Sequence, residues 1–137
     1  MLMGEFATAV QNKLPIKVVV CKNNLLGMIK WEQLVMLGNP EDACSLSPID
    51  FAKVAEACGG KGFSCEEPSD MGRILDMALQ EPGPVLIEAV VDPNEPPMPP
   101  KATVKQALHF AEALARGTTD ASRIIRTVFK DKVREMV

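Results

Sequence analysis

Tyrosine is absent from the 137 residues, tryptophan and histidine occur once each, and phenylalanine five times. The basic residues are dispersed along helical patterns and few aromatics accompany them, which argues against nucleic-acid binding, because a groove for single strands needs rings stacked along cationic side chains. No apolar run approaches the ~20 residues that span a bilayer. MLMGEF has neither the basic start nor the small-residue cleavage pattern of a signal or transit peptide, so a cytoplasmic protein is expected. Cysteine is present without a pattern. Cys21, Cys44, Cys58 and Cys65 form no CxxC pair and sit mostly inside apolar runs, which suits reduced, buried thiols better than zinc ligands or a disulfide framework. The lone histidine, His109, lies beside Phe110 near the C-terminus and is read as structural or solvated.

What is present is ordinary for a globular chain: 47% hydrophobic and 24% charged residues. The length suits one domain able to bury its own core. The net charge of −3 conceals an asymmetry, since residues 101–137 hold eight Lys or Arg against four Asp or Glu, leaving the body acidic and the tail basic.

Leu2, Phe6, Val10 and Leu14 recur near helical spacing before Pro15, predicting a helix over about 2–13. Ile16 to Cys21 is then a short, mainly apolar run rich in β-branched residues, the pattern of a strand covered on both faces in a parallel sheet. After a loop, a helix is expected from Met28 to Leu37, stopped by Gly38, Asn39 and Pro40. Ser47 and Pro48 offer a cap and a first helical position for a helix burying Phe51, Val54, Ala55 and Cys58, ended by Gly59 and Gly60. A short strand over 62–65 follows, then a helix opened by Pro68, Ser69 and Asp70 with the stripe Met71, Ile74, Leu75, Ala78 and Leu79. PVLIEAVV, residues 84–91, is the second strong strand.

The alternation predicts an α/β domain of three layers with a mostly parallel sheet. About three strands are visible, few for such a sheet, which points to a domain truncated at its N-terminus. The expected division is a partial domain over 1–92, a proline-rich connector over 93–101 and a helical tail over 102–137. The tail carries two helices, one lined by Val104, Leu108, Ala111 and Leu114, the other by Ile124, Ile125, Val128, Phe129, Val133 and Met136. Residues 121–137 combine an apolar stripe with five basic and two acidic residues. That pattern fits a helix lying peripherally on a membrane, but the lack of tryptophan and the polar interruptions in the stripe favour one packed on the domain or on a partner subunit.

The candidate site is the loop closing the first strand. In parallel α/β sheets, ligands bind at the carboxyl ends of the strands, where loops and helix N-termini offer N–H groups to phosphate. Asn23 and Asn24 stand there, and an amide oxygen is a hard neutral ligand suited to Mg²⁺, while Gly27 permits close approach of backbone to a diphosphate. By spacing alone, two turn-forming asparagines are the better account.

The segment KNNLLGMIKWEQ, with GEFATAVQNKLPIKVVV before it and DFAKVAEACGGKGF and EPGPVLIEAVVDPNEPPMPP after it, resembles the C-terminal part of thiamine-diphosphate-dependent 2-oxo acid enzymes. The likeness covers nearly the whole chain and is strongest to pyruvate oxidases, including the quinone-linked pyruvate dehydrogenases, with acetolactate synthases further away. The resemblance implies thiamine diphosphate and Mg²⁺ as cofactors and pyruvate as substrate. FAD would belong to a domain outside these residues, and the parent enzyme would be a homo-oligomer. Gapless matching of Leu26-Gly27 implies Asn23 and the Leu25 carbonyl as Mg²⁺ ligands, with Asn24 as the alternative, and the backbone from Asn23 through Leu26, Gly27 and Met28 to Ile29 around the diphosphate. The motif's opening Gly-Asp-Gly falls upstream of Met1, and the Glu that activates the cofactor belongs to another domain, so the chain alone is expected to be inactive. Met28 matches an apolar position near the thiazolium, and Glu32, one turn later, matches an active-site Glu that orients substrate or passes a proton. Glu32 reads equally well as a solvated surface residue, and Trp31 as packing.

Overall fold

A computed structural model describes residues 3–95 and 103–134, with backbone only for 131–134. In chain order the elements are α1 (Met3–Gln11), β1 (Lys17–Lys22), α2 (Gly27–Trp31), α3 (Phe51–Ala57), β2 (Lys61–Cys65), α4 (Met71–Gln80), β3 (Val85–Val90), α5 (Val104–Ala115) and α6 (Ala121–Arg134). Helix α2 continues as a π-helical stretch over Glu32–Leu37, and a 3₁₀ turn over Pro68–Asp70 leads into α4. Leu2, Met136, the Val133 side chain and residues 96–101 of the expected connector lie outside the described residues. The chain divides into two compact units, one formed by 1–23 and 48–91, the other by 24–47 and 92–137.

The first unit is an α/β sandwich. Its sheet has the order β1-β3-β2, and both pairings are parallel, with Val18 opposite Leu86 and Gly62 opposite Leu86 from the other side. Lys22, Cys65 and Val90 therefore end at one edge of the sheet. The central strand carries the load: Val85, Leu86, Ile87, Glu88 and Ala89 are all buried, and each full burial of a Val or Ile side chain is worth about 1.5–3 kcal/mol. Alternation along the pleat divides the core. Val85 and Ile87 face Ile74 and Ala78 of α4, while Leu86 faces Phe6 of α1 and Ala55 of α3.

Strand β1 departs from the expectation of burial on both faces. Val18 and Val20 pack against the α1 and α3 side, but Val19 is 51% exposed and Cys21 is exposed. The cause is topological: β1 is an edge strand among the described residues, and α4 lies over β2 and β3. All four cysteines are free, as expected; Cys44 and Cys65 are buried, Cys58 partly, and Cys21 not. The cap of α3 is also corrected. It is Asp50, whose carboxylate accepts from the Lys53 N–H at 2.9 Å, rather than Ser47 with Pro48. In α4 the buried stripe is narrower than the pattern suggested, since Leu75 and Leu79 are exposed.

The second unit has its own apolar centre, where Trp31 and Leu34 meet Ala113 of α5 and Ile124 of α6. Trp31 is a packing residue, its ring tilted against Phe110 at 6.2 Å. Gly38, at φ +66°, closes the π-helical stretch in the left-handed region, and Arg116 donates to its carbonyl at 3.0 Å. Helix α5 begins with a reciprocal capping box of Thr103 and Gln106. Its buried face is Ala113 with Phe110 and Leu114; Val104 and Leu108, expected inside, are exposed. In α6, Ile124 is fully buried and Val128 packs beside it, whereas Ile125 and Phe129 are exposed. No described helix is long and apolar enough to cross a membrane.

Candidate functional site

The loop Asn23–Leu26 leaves the carboxyl end of β1, the edge of a parallel sheet where ligands bind. Its two asparagines do different things. Asn24 is exposed and has φ +54°, in the left-handed region that asparagine tolerates better than most residues, which makes it the turn-forming member. Its carbonyl accepts from Leu46 N–H at 2.9 Å, and Leu26 N–H donates to the Cys44 carbonyl at 2.8 Å, so that Leu25 faces Ser45 in an isolated antiparallel bridge. The 44–46 segment thus holds the loop's backbone. Asn23 is the partly buried residue directly after β1.

Helix α2 starts at Gly27 with Leu26 as its N-cap, a residue whose side chain has no atom to accept a hydrogen bond. The first N–H groups of a helix lack intrahelical acceptors and draw anions with the helix dipole; here they belong to Gly27, Met28 and Ile29. Lys30 N–H already returns to the Leu26 carbonyl at 3.0 Å. The Leu26 N–H is spent on the Cys44 carbonyl. Met28 is 64% exposed and Glu32 is exposed where the helix widens to π geometry, a distortion frequent at functional positions.

The oxygen donors of Asn23 and Leu25 are hard and neutral, the chemistry Mg²⁺ takes when phosphates complete its shell. Among the described residues no group of three or more His, Cys, Asp or Glu comes together to hold a metal ion.

Residues 1–89 match the family described as thiamine pyrophosphate enzyme, C-terminal TPP binding domain. The chain belongs to that family. It is 38% identical over 116 residues to YdaP of Bacillus subtilis, named as a thiamine pyrophosphate-containing protein, an alignment covering 85% of this chain and 20% of that one. It is 34% identical over 97 residues to the acetolactate synthase large subunit of Pyropia yezoensis, covering 69% of this chain and 16% of the relative. To the acetolactate synthase isozyme 3 large subunit of Escherichia coli it is 32% identical over 99 residues, covering 69% and 17%. The chain thus spans about a fifth or less of the length of these relatives.

Two polar clusters of this TPP-binding domain escaped the sequence reading. Glu88, 3% exposed in the middle of β3, accepts from Lys22 Nζ at 3.0 Å and from the Phe51 N–H at 2.7 Å. Its carboxylate therefore sits at the N-terminus of α3, where a negative charge is favoured, and holds the side chain of the residue just before Asn23. The signal was visible: one acid inside PVLIEAVV, where a charge must find a partner. In the second unit Lys30 is buried, 3.6 Å from Glu41 and 3.4 Å from the carboxamide oxygen of Asn94. No sequence spacing links these three. His109 is partly buried on α5, near Gly38.

Proposed function

We propose that the chain anchors the diphosphate of thiamine diphosphate, through Mg²⁺, in a thiamine-dependent 2-oxo acid enzyme of the pyruvate oxidase or decarboxylase type. The observation that carries the reading is the loop after β1: an asparagine at the strand's carboxyl end, a left-handed turn pinned by the 44–46 backbone, and a helix start at Gly27. In this reading Asn23 and the Leu25 carbonyl hold the cation, and the N–H groups of Gly27, Met28 and Ile29 take phosphate oxygens. Bound there, the cofactor supplies an electron sink for decarboxylation. Met28 borders the reacting ring, and Glu32 orients substrate or moves a proton. In the oxidase reading FAD accepts the electrons and is held outside these residues. The protein is taken as a cytoplasmic homo-oligomer, with residues 121–137 as its candidate lipid contact, tested by liposome co-sedimentation with and without residues 118–137.

A second reading, an acetolactate synthase, draws on the relatives that carry that name. Both readings share the anchor. Calorimetry of the 137-residue chain with thiamine diphosphate tests it: binding is expected with Mg²⁺, is lost on chelation, and weakens about tenfold or more in Asn23→Ala. Binding that ignores both Mg²⁺ and Asn23 would overturn the reading. Without other residues the chain is expected to bind and not turn over pyruvate. Formation of acetolactate from pyruvate by the protein carrying this domain would favour the synthase.

A further inference from the structure

The second unit contains a cavity of about 520 Å³ that plays no part in the proposed cofactor anchor. One wall is the turn from Asp92 to Glu95; the other is the face of α6 bearing Arg123, Arg126 and Lys130, which share one side of the helix by their spacing. The turn is built rather than loose, since Asn94 N–H donates to Asp92 Oδ1 at 2.8 Å and Glu95 N–H to the Asp92 carbonyl at 3.4 Å. Asn94, 4% exposed, lines the cavity while its carboxamide oxygen accepts from buried Lys30 at 3.4 Å. That contact uses one lone pair of the oxygen, and the side chain also carries an NH₂ group that can donate to a ligand.

The charges across the cavity do not close on each other. Arg123 reaches Asp120 at 3.7 Å, but neither Arg126 nor Lys130 pairs with a carboxylate among the described residues, although Asp92 and Glu95 line the same space. A cationic helix wall faces a turn that carries the acceptor-only carboxylates of Asp92 and Glu95 with the Asn94 amide between them, which matches a ligand that combines an anion with hydrogen-bond donors. Arginine favours phosphate, through paired charge-assisted bonds, and carboxylates accept from hydroxyls. The acidic wall repels an anionic polymer, and the volume lies in the ~300–1,000 Å³ range of small-molecule sites.

We propose that this cavity binds a small phosphomonoester bearing hydroxyl groups, with its phosphate on Arg126, Lys130 and the Asn94 amide and its hydroxyls on Asp92 and Glu95. The test is calorimetry of the full chain at low salt with ribose 5-phosphate, inorganic phosphate and ribose as separate probes. Ribose 5-phosphate is expected to bind at least about tenfold more tightly than either fragment, and the double variant Arg126→Ala with Lys130→Ala to weaken it by about tenfold or more with an unchanged far-ultraviolet spectrum. Asp92→Asn with Glu95→Gln should abolish the preference over inorganic phosphate, and Asn23→Ala should leave binding intact. The proposal is overturned if no binding occurs at millimolar concentration, if inorganic phosphate binds as well, or if the double cationic variant binds normally. Loss on Asn23→Ala alone would assign the phosphate to the loop after β1 and also overturn it.

Discussion

Replacing Glu88 by alanine tests how the sheet edge before Asn23 is held. The carboxylate is buried, accepts from Lys22 Nζ at 3.0 Å and from the Phe51 N–H at 2.7 Å, and lies on the central strand between Val20 and Ser64. Alanine removes both acceptors at once. It leaves a lysine whose side chain is only 14% exposed without a counter-charge and a helix N–H without a partner. Breaking a buried pair in this way costs about 3–5 kcal/mol, and an unsatisfied donor alone about 1–3 kcal/mol. The total is large against a domain stability of ~5–15 kcal/mol. With a urea slope of about 2 kcal/mol per molar, the loss of the pair by itself should lower the midpoint by roughly 1.5–2.5 M. Glu88→Gln keeps an acceptor for Phe51 but still leaves Lys22 without a counter-charge, so its cost should lie below that of alanine without vanishing. Combining Lys22→Met with Glu88→Leu should recover much of the alanine variant's loss, because no charge is then stranded. The measurement is urea denaturation followed by circular dichroism and fluorescence of Trp31. A loss below about 1 kcal/mol for Glu88→Ala would refute the reasoning, since the carboxylate would then hold neither strand nor helix.

Gly62 offers a steric test: a Cβ there would run into the Ala52 carbonyl group, where α3 crosses β2, so Gly62→Ala should destabilise by about 2–4 kcal/mol in the same denaturation assay, while Gly72→Ala, which meets nothing, should not. Lys30→Met strands the Glu41 carboxylate, one of whose oxygens already has no hydrogen-bond partner, and should cost about 3 kcal/mol; adding Glu41→Gln should restore most of it in thermal melts. The side-chain hydrogen bond from Lys53 holds the Asp50 carboxyl below its ordinary value of 3.8, helped by the Lys53 backbone N–H. A depressed carboxyl stabilises the fold above its unfolded value and loses that contribution as pH falls through the folded one. The acid limb of a stability-against-pH curve should therefore flatten in Asp50→Asn below about pH 4, and an unchanged curve would count against the cap.

Periodicity and turn chemistry determined much of this chain without any structure. The β-branched run ending at Lys22, the apolar run PVLIEAVV and the helical spacing through α1, α3 and α4 follow from local preference and side-chain direction, and the parallel α/β class follows from their alternation. The resemblance around KNNLLGMIKWEQ extended this to a family, because the residues that carry it are contiguous and therefore legible in order.

What depends on partners distant in the chain was decided only by the tertiary structure. A β-branched run is the same whether its strand is central or at an edge, so the exposure of Val19 and Cys21 waited on the order β1-β3-β2. The division of labour between Asn23 and Asn24 required the backbone bonds from residues 44–46, which set the left-handed turn at Asn24. In α5 and α6 the apolar residues cover more than one face, and which face is buried depends on where Trp31 and Leu34 stand. Glu88 with Lys22 and Phe51, and Lys30 with Glu41 and Asn94, are held together by folding alone, since a buried charge selects its partner in space and sequence separation carries no record of that choice.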